Sequence, residues 1–362
     1  MTRLIILSVF ALQVAACQPS SAPSPNQTAA TVPAQTFKWK MVTTWPKNYP
    51  VLGTSPERFV KLVDRMSNGR LKIKVYGAGE IVPALEVFDA VSRGTVQMGH
   101  GVAYYWKGKV PEAQWFASVP FGFDAREVNG WLHYGGGLAL WREAYSPHGV
   151  VPFAAGNSGT QMGGWFNKEV NSLADIQGLK MRMPGLGGEV LKRAGGVPVL
   201  LPGSEIFTAL QTGTIDATEW TGPYSDLAFG LHKAAKYYYS PGWHEPGTVL
   251  ELIVNKEALD GLPDDLQAIV EVAARHANQD MLDEYTARNS EALERLVRDH
   301  KVEVRMFPDD VLAEFRRLSE EVLKVERERS PLAQKIHASF EQFRRRTRAY
   351  YRVAEDAYDK AR

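Results

Sequence analysis

Arg182 lies within an apolar strand, Lys180-Met181-Arg182-Met183, that ends at the Pro184-Gly185 turn ahead of a helix. Crevices outside strand ends are where open α/β sheets bind ligands. A guanidinium fork placed there holds a carboxylate through two charge-assisted hydrogen bonds, a geometry that a lysine point charge does not reproduce. Strand alternation offers the plainer alternative, with Lys180 and Arg182 together on a solvent face. Glu219 and Glu245 pose the same choice, between carboxylates that converge on a crevice and exposed acids at strand ends.

Signatures of bond-making chemistry do not form. The eight histidines, among them His100, His133, His148 and His232, show no HExxH and no paired metal-ligand spacing, which argues against a zinc enzyme. Gly156-Asn157-Ser158-Gly159-Thr160 departs from the nucleophile-elbow pattern at its last position. Gly185-Leu186-Gly187-Gly188 lacks the third dinucleotide glycine and a P-loop lysine. Both read as glycine-rich turns, and the chain reads as a binding protein rather than an enzyme. Trp45, Tyr104, Tyr105, Trp165 and Trp220 either wall a small pocket or pack in cores, the commoner fate of aromatic residues. Tyr105 is the one among them selected for a polar contact. Asn157 either bonds a ligand or shapes its own turn, as Asn often does.

The elements that must position these residues alternate between strand and helix. Phe37 to Val42 and Leu71 to Val75 read as strands around a helix from Pro56 to Met66; a helix from Ala84 to Arg93, ended by Gly94, precedes a strand from Val96 to His100. This βαβ-like order predicts a mostly parallel sheet. Glu86 to Val96 is echoed by Glu205 to Ile215, each a helix, a glycine cap and a strand, which suggests two similar lobes. Between the echoes, strands are expected at Val150 to Ala154, Gly163 to Phe166, Leu179 to Met183 and Val197 to Leu201, with a helix beginning near Gly188. Val249 to Asn255 and Val302 to Met306 complete the strands. Pro263 to Asp299 and Pro308 to Arg362 are helical, the latter broken near Ser330-Pro331. Ile336, Phe340 and Phe343 recur at helical spacing beside Arg344-Arg345-Arg346, either on a helix that extends from the body or on an ordinary docked amphipathic one.

The 362 residues are 44% hydrophobic and 23% charged, ordinary globular composition and length enough for two domains. Forty-two basic residues against 41 acidic ones leave +1, so no overall field advertises nucleic acid. Arg3 and the apolar run from Leu4 form a leader too short to span a bilayer. Val14-Ala15-Ala16-Cys17 resembles the lipobox of bacterial lipoproteins, which would make Cys17, the only cysteine, a lipidated anchor. The alternative is a plain secretory signal; both export the chain. Gln18 to Thr36, rich in Ser, Pro, Ala, Thr and Gln, reads as a disordered tether. The organisation expected is a signal over 1–17, the tether over 18–36, a first lobe over 37–156 and a second over 157–245. A return to the first lobe with the hinge follows over 246–307, then C-terminal helices over 308–362.

Met181 to Gly185, the upstream Asn171 to Lys180 and the glycine-capped Glu205 to Ala217 resemble the binding proteins of tripartite ATP-independent periplasmic (TRAP) transporters, from about Phe37 to the C-terminus. Gly156 to Gln161, Asp216 to Trp220 and Tyr237 to Gly247 look like the branch that binds 2-oxo or 2-hydroxy monocarboxylates, pyruvate- or lactate-like, together with a metal ion. The resemblance implies a two-lobed periplasmic-binding-protein-like α/β fold with a hinge and long C-terminal helices. It also implies separate membrane subunits as partners, and a homodimer made by exchange of a C-terminal helix.

By this similarity Arg182 clamps the substrate carboxylate, while the Gln161, Glu219 and Glu245 side chains and the Trp220 carbonyl surround the cation. Gln161, Glu219 and Trp220 are expected to contact the substrate as well as the cation, and Asn157 and Tyr105 are further candidates for substrate contact. Glu219, Glu245 and an anionic substrate would set three negative charges against one Arg182, a cluster that calls for a cation. Hard oxygen ligands suit calcium or sodium. Two rivals are a binding protein for an ABC importer and a secreted metal-dependent hydrolase or lyase using Glu219 and Glu245.

Overall fold

The computed structural model describes residues 35–362; Cys17, the leader and the tether as far as residue 34 lie outside the described residues. Alternation decides the first strand. In β1 (Phe37–Thr43) Trp39 and Met41 enter a core cluster with Phe59, Val63 and Val270, while Lys38 and Lys40 turn the other way. β2 (Leu71–Tyr76) pairs with β1 in parallel after the helix Thr54–Met66, and β3 (Met98–Gly101) pairs in parallel on the other side. β4 (Val150–Asn157) leads out of this sheet. Short strands then build a second one: β5 (Gly164–Phe166), β6 (Lys180–Arg182), β7 (Val197–Val199), β8 (Ala217–Thr218) and β9 (Tyr237–Ser240). β10 (Val249–Asn255) returns to the first sheet and β11 (Glu303–Met306) joins the second. The orders are β2-β1-β3-β10-β4 and β11-β9-β5-β8-β6-β7.

The fold is the α/β two-lobed architecture expected, and two details differ. The sheets are mixed, not mostly parallel: β10 is antiparallel to β3 and β4, and β5 is antiparallel to β8 and β9. One strand leaves the first sheet and the other re-enters it, so β4 and β10 run in opposite directions where they pair. The 246–307 return does not lie wholly with the first sheet either. Its 35-residue helix Asp264–Arg298, about 50 Å long, ends by delivering β11 onto β9, with Glu303 beside Tyr237. On the way Asp280 meets Arg58 at 2.7 Å, and Asn289 Oδ1 accepts from the Tyr224 N–H at 3.0 Å.

The echoed phrases behave alike. Gly94 and Gly213 both adopt positive φ, 70° and 73°, after a helix, and each turn feeds a strand parallel to an earlier one, β3 to β1 and β8 to β6. The helix expected near Gly188 begins earlier, at Gly185. Near the C-terminus the break falls at Ser330, whose Oγ caps the Ala333 N–H at 3.0 Å. The helix Pro331–Val353 docks on the body through Ile336 and Phe340, the latter against Phe123 with ring centroids 4.0 Å apart. In its last turn Tyr350 and Val353 are exposed, as is Tyr358 in the short helix Glu355–Ala361 that follows. No helix among the described residues is long and apolar enough to cross a membrane.

Candidate functional site

Arg182 ends β6, and the register that pairs it with Thr218 of β8 sets the next residue, Glu219, beside it. The Glu219 N–H donates to the Arg182 carbonyl at 3.3 Å, and Arg182 Nη1 donates to Glu219 Oε1. Nη2 donates to the Tyr105 hydroxyl at 3.0 Å and Nε to the Leu201 carbonyl at 3.4 Å. These bonds engage three of the five guanidinium N–H groups and leave two. The Trp220 ring lies 5.3 Å from the guanidinium carbon. Arg182 is 1% exposed and Glu219 0%, which removes both the solvent-face reading of the arginine and the exposed-acid reading of the glutamate. Burial works against the guanidinium charge, but Glu219, then Tyr105, Tyr104 and Glu245, outweigh it and raise its pKa.

A second loop meets this pair. The Gln161 N–H donates to the Glu245 carbonyl at 3.1 Å, and Glu245 accepts from Thr248 Oγ1 at 2.6 Å. Gly242 makes the approach possible, since a Cβ there would fall 2.1 Å from the Gln161 carbonyl oxygen. Glu245 is 3% exposed, and its pKa is raised by burial first and the charge of Glu219 second. One ligand atom each from Glu219, His244 and Glu245 lie within 4.8 Å of one another.

The polar atoms left over mark what this arrangement accommodates. Gln161 Oε1, Glu219 Oε2, the Thr221 hydroxyl and both His244 ring nitrogens are buried without a hydrogen-bond partner. Buried polar groups are costly in that state. His244 Nε2 stands 3.7 Å from Glu219 Oε2, too far for a hydrogen bond. The oxygens of Gln161 and Glu219, with Glu245 close by, are donors of the hard type that calcium or sodium takes. The residues present therefore fit a cation.

Trp45, Leu52, Val102, Tyr104, Tyr105, Gln161, Arg182, Trp220, Thr221, Thr248 and Leu250 line a cavity of about 10 Å³, room for about one water molecule. That is far below the roughly 300–1,000 Å³ of pockets for drug-sized ligands, so the side chains as they stand nearly fill the site. The structure thus brings together Arg182, Gln161, Tyr105, Glu219, Trp220 and Glu245. Asn157 serves its turn, accepting from the Gly159 N–H at 2.8 Å, while its amide nitrogen is buried without a partner. Trp165 is not a wall: it stacks on Tyr238 at 4.0 Å and donates to Asp226 at 2.9 Å. His244, Thr221, Thr248, Leu52, Val102 and Leu250 also reach the site or its walls without being expected there from the sequence. Adjacency to Glu245 and Trp220 was a signal for His244 and Thr221; no local signal marks the others.

Two α/β lobes meeting over a closed pocket with a buried guanidinium and unpartnered oxygens define a receptor for a small anionic solute. The sequence model described as bacterial extracellular solute-binding protein, family 7, matches residues 41–329, and the chain belongs to that family. It is 41% identical, over 99% of its length and 98% of the relative's, to a monocarboxylate 2-oxoacid-binding periplasmic protein of Nostoc sp.. A solved TRAP periplasmic solute-binding protein from Pseudoalteromonas atlantica with bound sodium and pyruvate matches with TM-score 0.88 and 41% identity, covering 91% of this chain and 100% of that one. Another, from Bordetella bronchiseptica, is a dimer of mixed occupancy with co-purified calcium and picolinate. It matches with TM-score 0.88 and 38% identity over 90% and 97% of the two chains. The chain is accordingly a periplasmic solute receptor of the TRAP type, and neither an enzyme nor an ABC-importer component.

Proposed function

We propose that this receptor binds a small 2-oxo or 2-hydroxy monocarboxylate, pyruvate- or lactate-like, together with calcium or sodium, and presents it to TRAP membrane subunits. The observation that carries this reading is the pocket itself, in which Arg182 keeps two N–H groups uncommitted next to the unpartnered oxygens of Gln161 and Glu219. Arg182 takes the substrate carboxylate, with the Tyr105 hydroxyl and the Asn157 amide beside it. Gln161, Glu219, Glu245 and the Trp220 carbonyl hold the cation, which supplies the positive charge that Glu219, Glu245 and an anionic ligand together need. The relatives bound to pyruvate with sodium, and to picolinate with calcium, support the choice of an acid and a hard cation.

Lobe closure is the mechanism in this reading, with β4 and β10 as the crossing strands and the lobes running over 37–156 and 157–245. Nothing covalent happens to the ligand. Cys17 is read as the lipid anchor that keeps the exported chain at a membrane. The C-terminal helices, with exposed Tyr350, Val353 and Tyr358, are read as the dimerisation element; the Bordetella bronchiseptica relative is a dimer.

A thermal-shift screen of metal-stripped protein tests the reading, since a selective ligand stabilises the native state. Pyruvate- or lactate-like acids should raise the melting temperature, and more so with calcium or sodium added. A rise with sugars, amino acids or dicarboxylates alone would keep the receptor and overturn the substrate.

A further inference from the structure

Four lysines share one exposed patch on the first sheet. Lys38 and Lys40 of β1 and Lys72 and Lys74 of β2 are all exposed, and the parallel register sets Lys38 beside Lys72 and Lys40 beside Lys74. They line a shallow groove together with Trp39, Ile73 and Tyr76, while Met41, Leu71 and Val75 are buried in the core cluster. Lys109, Lys236 and Lys256 sit beside a carboxylate, whereas Lys61, Lys168, Lys180 and Lys192 are exposed singly; what sets the four of the patch apart is that they lie side by side. No carboxylate pairs with any of these four among the described residues. Four unpaired like charges side by side repel one another, and a net charge of only +1 over the whole chain makes the cluster a local feature. Protection of a sheet edge against strand addition accounts for lysines on β2, the edge strand, but not for those on β1, which lies inside the sheet.

We infer that this lysine face rests on the anionic headgroups of the membrane to which the chain is tied. The inference draws on the lipid-anchor reading of Cys17 for the membrane's nearness. Lys38 follows the tether directly, and the chain between Cys17 and Phe37 reaches at most about 70 Å. An anchor at Cys17 therefore holds the patch close to a surface and raises its effective concentration there. Each lysine near an anionic leaflet adds attraction, and the sum is screened by salt.

The test uses the chain from Gln18, which contains the whole compact unit Thr36–Arg362. Its co-sedimentation is measured with phosphatidylcholine vesicles, and with vesicles containing about 30% phosphatidylglycerol, at about 50 mM and about 500 mM NaCl. Expected is partitioning to the anionic vesicles at low salt at least about tenfold above that to the neutral ones. High salt should abolish it, as should Lys38→Gln, Lys40→Gln, Lys72→Gln and Lys74→Gln combined, with the melting temperature unchanged. Absence of low-salt binding, or equal binding by the fourfold variant, overturns the inference. So does capture by polyglutamate without vesicle binding, which would assign the face to an acidic protein. Mass spectrometry of the Cys17 peptide from cells tests the anchor separately, so the two failures are distinguishable.

Discussion

Arg182 donates to Glu219 at a point where neither side chain meets solvent. Such a pair is weak evidence for stability, because burying both charges costs more than a well-packed apolar replacement would. Its value lies in position: Glu219, Tyr105 and the Leu201 carbonyl fix the guanidinium in one orientation along the cavity wall. A fixed fork loses little freedom when a carboxylate arrives.

Arg182→Lys keeps a positive charge near Glu219 and loses the fork. Pyruvate affinity should fall at least about 100-fold, close to 3 kcal/mol, in isothermal titration with calcium present, while the melting temperature falls only modestly. Near-normal affinity would remove Arg182 from the carboxylate contact.

Tyr105→Phe deletes the hydroxyl that accepts from Arg182 Nη2 at 3.0 Å and leaves that N–H buried. The expected cost is about 1–3 kcal/mol, divided between stability and ligand affinity. Unfolding in urea and ligand titration together measure it, and no change in either would mean that water replaces the hydroxyl.

Glu245→Gln can still accept from Thr248 and loses a charge beside Gln161 and Glu219. Calcium affinity, read from a calcium titration of the melting temperature with pyruvate present, should drop by at least about tenfold. An undiminished calcium response would take Glu245 out of the cation set.

Glu251, inside β10, is fully buried and accepts from Trp106 and, at 2.9 Å, from Tyr145. Burial raises its pKa from 4.5 to about 8 against the opposing effect of those two donors. Between these values the folded chain holds a proton that the unfolded chain has lost, so stability falls as pH rises from about 4.5 to about 8. Glu251→Gln mimics the protonated acid and should flatten that slope, gaining on the wild type by about 1–3 kcal/mol at pH 8. Urea unfolding across this range measures the slope; parallel curves for the two proteins would show that Glu251 ionises without penalty.

The alternation of strands and helices, the glycine-capped echo and the glycine-rich turns are legible in the residues alone, because each is local. Side-chain periodicity and positive-φ turns act over a few residues, as at Phe37–Thr43 and at Gly94 and Gly213. Arg182, Glu219 and Glu245 could be picked out by type and motif, but their burial could not, since a strand pattern alone places Arg182 equally well in water. Tertiary structure decided that. The pairing of β6 with β8 lays Glu219 beside Arg182, and the approach of the Gln161 and Gly242 backbones brings Glu245 to the same point. It likewise assigned β11 to the second sheet through the reach of a 35-residue helix, withdrew Trp165 into a core, and admitted His244, Leu52 and Val102 to the site or its margin. These are contacts between segments far apart in the chain, and their positions follow from how the two sheets pack rather than from anything in their neighbouring residues.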